Sequence, residues 1–151
     1  MLFDRFIRGL LAGIIAGIAM DTIDLIGYWL KLDQARYLDF AAVIAFGKTA
    51  SSWMETILSL IIELMFKGLL GVLFVFLIPK IKSKYLIIKA ILFGTTTWFI
   101  IYSIIVLSKA TKFPKVDAGV ALSHLINSSV FGIVLTLTLY WIEKKTKQKA
   151  S

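Results

Sequence analysis

Apolar residues run through this chain in four long stretches, Phe6–Leu30, Met54–Ile78, Tyr85–Leu107 and Gly119–Trp141. An α-helix rises about 1.5 Å per residue, so about 20 apolar residues cross a hydrocarbon core of about 30 Å. Each stretch meets that length, and the pattern predicts four transmembrane helices. The segment between the first two, Lys31–Trp53, is long for a plain connector. In it Tyr37, Phe40, Ala41 and Ile44 fall at the spacing of one helical face, and Gly47 supplies a helix stop. This predicts a short helix lying in the outer interface or dipping partly inward, with Trp53 marking the membrane boundary. The expected fold class is all-α: a polytopic membrane protein built as a four-helix bundle, with a short outer-side interfacial helix between helices one and two. The spans take up most of the 151 residues, so 1–151 reads as a single membrane domain.

Polar residues interrupt this pattern in an ordered way. Asp21 and Asp24 fall in the first span, Glu63 and Lys67 in the second, His124 and Asn127 in the fourth. Ionisable groups are expensive at membrane depth, face protein or water rather than lipid, and often mark function. Counting inward from outer helix ends near Leu30, Met54 and Ala118, Asp24 and His124 lie roughly 9 Å deep. Asp21, Glu63 and Asn127 lie about 13–14 Å deep, and Lys67 about 20 Å deep. Three helices therefore bring polar groups to matching levels in the outer half. A stripe at four-residue spacing, Glu55, Ser59, Glu63, Lys67 and Gly71, is expected to face the bundle interior.

Charge within the cluster is unbalanced. Glu63 and Lys67 stand at i, i+4 and can pair along one helix face. The remaining carboxylates need a proton, a protonated His124, a bound cation or water. At least one of Asp21, Asp24 and Glu63 is therefore expected to be protonated or ligated near neutral pH. Four uses of the cluster follow: a hydrogen-bonded network that fixes helix register, a proton or cation pathway, a divalent-metal site from Asp21 or Asp24 with Glu63 and His124, or general acid–base work on a lipid or peptide. HExxH, GxSxG and SxxK are all missing, so no catalytic residue is named. Ser128 and Ser129 share the helix of His124 and read as backbone-bonded helix residues. No cofactor is expected beyond that divalent-cation alternative.

Small residues form a second pattern. Gly9, Gly13 and Gly17 recur every four residues, reinforced by Ala12, Ala16 and Ala19, and Gly94 lies beside Ala90 and Thr97. Such faces let helix backbones approach closely in lipid. Packing within the chain is the expected use, with homodimerisation or a membrane partner subunit as the alternative. Short broken helices, the mark of inverted-repeat transporters, do not occur in either half.

Composition agrees with membrane residence: 59% of residues are hydrophobic and 17% charged, where a soluble domain holds about 45–50% apolar residues. Cysteine is missing, which removes disulfides and thiolate chemistry together. The net charge of +8 lies at helix ends rather than on a recognition fold, which argues against nucleic acid. Lys80, Lys82 and Lys84 follow span two, and Lys144, Lys145, Lys147 and Lys149 follow span four. With Arg5 and Arg8 they outweigh Lys31, Arg36, Lys48, Lys109, Lys112 and Lys115 at the opposite side, which puts both termini in the cytoplasm. These clusters are expected to meet anionic head groups, and Lys89 to snorkel to the same surface. Arg5 and Arg8 before Gly9–Ala19 also fit a secretory signal, with Gly17 and Ala19 before a cleavage point. Apolar character resumes through Ile23–Leu30, however, which favours a retained span in the cell membrane.

The layout resembles small four-span bacterial membrane proteins of the YqhR type. The parallels are the small-residue first helix ending near Gly27–Tyr28, the tryptophan-bearing outer segment, Gly94–Trp98 as GxxxW, Phe113–Pro114 before span four, and Gly132–Ile133. The acidic pair Asp21/Asp24 and the Glu63–Lys67 stripe lie outside the resemblance. It implies architecture in a bacterial inner membrane and no particular activity.

Overall fold

Four long helices and one short one follow each other in the computed structural model: α1 Arg5–Trp29, α2 Leu38–Phe46, α3 Trp53–Leu77, α4 Leu86–Leu107 and α5 Ala118–Gln148. The structure describes residues 4–31, 36–81, 84–107 and 118–148, with no strand among them. Lys82, Lys109, Lys112, Phe113–Pro114, Lys115 and Lys149 lie outside the described residues, as does the side chain of Lys147. All four long helices are long and apolar enough to cross a membrane.

Local chemistry sets the helix ends. Asp4 caps α1 by accepting from the Ile7 N–H at 2.8 Å. Ser52 and Glu55 close a reciprocal capping box at the start of α3. Glu55 thus belongs to the helix end, where it also pairs with Lys48 at 2.7 Å. The expectation that it joins the inward stripe fails for that reason, while Ser59, Glu63, Lys67 and Gly71 are buried. Gly47 ends α2 with φ +70°, a left-handed turn that only a residue without Cβ adopts freely. Pro79 lies in a 3-10 turn, Ile78–Lys80, that ends the second span.

The bundle is inside-out by the standards of a water-soluble protein. Ile18, Ile26, Met65, Leu69, Leu92 and Phe99 are exposed, whereas Asp21, Asp24, Glu63, Lys67 and His124 are buried. Lipid, not water, suits that exterior. Trp29 and Trp53 stand exposed at one end, and Tyr85, Tyr140 and Trp141 at the other, as interfacial aromatics do. Arg5, Lys80 and Lys84 share the second end with the close of α5, where Lys145 lies over the Trp141 ring at 4.1 Å. Lys89 reaches the same end and donates to the Ile81 carbonyl at 2.9 Å.

α1 is the central element, packed between α3 and α5, while α4 packs chiefly along α5. Glycine makes the α1–α3 contact close. A Cβ on Gly9 would stand 2.7 Å from Val72 Cα, and one on Gly71 2.7 Å from Gly13 Cα. The small-residue face of α1 is thus spent inside the chain, against Lys67–Val72. Gly94 and Gly132 do the same for α4 and α5, facing Ser128 and Ala90 backbone oxygens respectively.

α2 is covered by the rest of the bundle. Leu38–Val43 are all buried, and the helix packs against α3. Backbone buried inside protein must find its hydrogen-bond partners there. Asp39 performs much of that service: it accepts from the Arg36 backbone N–H at 3.1 Å and from the Ala50 N–H at 3.3 Å. Its carboxylate also holds the Arg36 guanidinium at 2.9 and 3.1 Å. Arg36 in turn donates to the Ala50 carbonyl at 3.2 Å, so both ends of the segment are tied together.

Candidate functional site

The buried charges of the long helices gather into two knots bridged by one aromatic ring. In the first, Lys67 on α3 donates its ammonium to Asp21 Oδ1 on α1 and lies 2.7 Å from Glu63 Oε1 one turn earlier. Side-chain exposure is 4% for Lys67 and 6% for Glu63, so two acids and one ammonium share a space nearly closed to solvent. In the second, Asp24 on α1 accepts from Asn127 Nδ2 at 3.1 Å and from the Tyr37 backbone N–H at 2.6 Å. His124 Nε2 stands 3.7 Å from the same carboxylate.

Helix direction explains these pairings. A side chain leans toward the N-terminus of its own helix. α1 runs opposite to α3 and α5, so Asp21 and Asp24 lean toward the lysine-rich end while Glu63, Lys67, His124 and Asn127 lean the other way. Lys67 therefore reaches Asp21 although its Cα belongs to a deeper level. Asn127 likewise meets Asp24 rather than Asp21, the acid whose level matches its own.

Tyr37 joins the knots. Its ring lies 5.1 Å from Lys67 Nζ, a cation–π distance, and packs edge-on to His124 at 5.1 Å. Phe40 packs edge-on to the same imidazole at 5.3 Å, beside the Tyr37 ring. Both rings come from the α2 region, so the short helix acts as a lid of aromatic groups over His124, which has no exposed surface. Burial, with Glu63, Asp24 and Asp21 nearby, pushes the Tyr37 phenol well above its ordinary range.

The sequence-selected residues are thus divided rather than pooled. Asp21, Glu63 and Lys67 form one group; Asp24, His124 and Asn127 form the other. Asp21, Glu63 and His124, the metal candidates, fall in different knots, and among the described residues no group of three His, Cys, Asp or Glu side chains is arranged to hold a metal ion. Ser128 and Ser129 give their hydroxyl protons to the Leu125 carbonyl at 2.9 and 2.8 Å.

A cavity of about 270 Å³ adjoins the first knot. Glu63, Lys67 and Tyr37 lie in its wall, and its other faces come from Phe40, Phe66 and Trp98 among others. Tyr37, Arg36 and Asp39 were not singled out as site residues by the sequence. The Arg36–Asp39 spacing of i, i+3 was the available signal for the latch; nothing marked Trp98 as a cavity wall. No family model matches the chain, and neither a curated protein nor a solved structure matches it. Function is therefore read from the site itself.

Proposed function

We propose that this chain is a small integral membrane component whose buried ionic network holds its helices in one register. The supporting observation is the environment of Lys67, whose ammonium is shared by acids from two helices and covered by the Tyr37 ring. An ammonium so enclosed is a fastener: moving it leaves two carboxylates uncompensated in an apolar interior. Polar groups that specify register in this way are an established use of buried charge. The role is that of a structural or interaction component of the cell membrane, with both termini in the cytoplasm. The basic residues at the α3–α4 turn and at the end of α5 support that orientation and an attraction to anionic head groups.

A second reading, proton- or cation-coupled transport through Asp21, Asp24, Glu63 and His124, draws on the surplus of acid over base. Reconstitution decides between them. Liposomes carrying the purified protein and an imposed proton gradient are expected to hold that gradient as well as protein-free liposomes. A collapse of the gradient that Glu63→Gln abolishes would overturn the structural reading.

A further inference from the structure

The cavity beside Glu63 has the composition of a ligand site rather than of a packing defect. At about 270 Å³ it approaches the lower end of small-molecule sites, roughly 300–1,000 Å³. Its position follows from the fold. α4 packs chiefly on α5, which leaves a cleft between α3 and α4. Phe74 and Phe93 close the cleft on the lysine-rich side with rings 5.2 Å apart, and Phe40, Ala41 and Ile44 close the opposite side. Ile62, Phe66 and Ile44 line it and are also exposed on the bundle surface, so it opens sideways toward the bilayer.

Two residues of its wall, Glu63 and Trp98, carry a buried polar atom without a hydrogen-bond partner among the described residues. Glu63 Oε2 is buried and accepts no hydrogen bond among the described residues, although Oε1 of the same carboxylate pairs with Lys67. Trp98 Nε1 is likewise buried without an acceptor, its ring stacked on Tyr102 at 5.7 Å. A buried carboxylate oxygen without a donor is unfavourable, and a ligand that donates to it gains what the protein leaves unmade. The charge has the same sense. When both acids are ionised, Asp21 and Glu63 bring two negative charges against the single ammonium of Lys67, and one added positive charge balances the knot. Trp98, Phe66 and Phe40 line the cavity, and aromatic rings of this kind attract cations.

We propose that this cleft binds a small apolar amine in its charged form, entering from the bilayer, with its ammonium on the free oxygen of Glu63 and its apolar body against Trp98, Phe66 and Phe40. The amine adds the missing positive charge without displacing Lys67 from Asp21. The proposal reaches beyond the register-fixing role, which requires no ligand.

Calorimetric titration of the purified protein with phenethylammonium and with phenethyl alcohol, its neutral counterpart, tests this. Saturable binding of the cation about tenfold tighter than of the alcohol is expected. Glu63→Gln should bring the two to the same affinity, and Thr97→Phe, which fills the cleft from α4 without touching an ion pair, should abolish both. Equal affinities in the natural protein would show an apolar hole filled by any chain, including a lipid tail, and would overturn the proposal. So would binding that survives Thr97→Phe, or no saturable binding of the cation. If Glu63→Gln fails to assemble, the ratio of cation to alcohol in the natural protein and the Thr97→Phe result decide.

Discussion

The backbone N–H of Tyr37 donates to Asp24 Oδ2 at 2.6 Å, so a carboxylate on α1 receives the chain as it enters α2. A carboxylate at a helix N-terminus satisfies a donor that the helix cannot satisfy itself and complements its dipole. Here it also fixes the aromatic lid, since Tyr37 and Phe40 follow the anchored residue. Asp24→Ala should therefore loosen α2 before it affects the long helices. Loss of a cap of this kind is worth about 0.5–2 kcal/mol, which corresponds to amide exchange faster by about twofold to about thirtyfold. Hydrogen exchange followed by mass spectrometry should show that acceleration over Leu38–Phe46; unchanged exchange there would mean that Asp24 does not hold the helix.

Gly13 and Gly71 lie in the closest α1–α3 contact, where an added Cβ meets backbone atoms instead of flexible side-chain ends. Gly13→Ala and Gly71→Ala should each destabilise the bundle by about 1–3 kcal/mol, measured by reversible detergent unfolding. The oligomeric state should stay the same in analytical ultracentrifugation. A change of oligomeric state with unaltered stability would assign the face to a second copy instead.

Tyr37 gives a pH signature. Its phenol is held up by burial and by neighbouring acids, so the folded form keeps its proton after the unfolded form has lost it. A raised folded value stabilises fully below the unfolded value of about 10 and loses that contribution as pH rises beyond it. Between about pH 9 and 11 the natural protein should lose more stability than Tyr37→Phe. Parallel pH profiles for the two would show that the phenol is accessible to water.

The spans were legible because a bilayer demands about 20 apolar residues in a row, and little else in a short chain looks like that. The Glu63–Lys67 pair was legible for a similar reason, since helical spacing alone brings i and i+4 together. Asp21–Lys67 was not, because 46 residues separate the partners and no local rule says which helices neighbour each other. The level of Asn127 was misplaced by counting Cα atoms, which ignores the opposite lean of side chains on antiparallel helices. Asp39 escaped notice within an apolar helix; its charge is answered by Arg36 three residues away, so it neither reaches the knots nor faces lipid.

The proposed register-fixing role makes Lys67, Asp21 and Glu63 one fastener. Unfolding of Lys67→Met, and of the same variant with Asp21→Asn and Glu63→Gln added, measures it within one mutant cycle. Lys67→Met alone strands two buried carboxylates and should destabilise by about 3–5 kcal/mol. Neutralising both acids in that background should restore at least half of the loss, because the uncompensated charge is then gone. A Lys67→Met variant that unfolds at the same denaturant concentration as the natural protein would contradict the account.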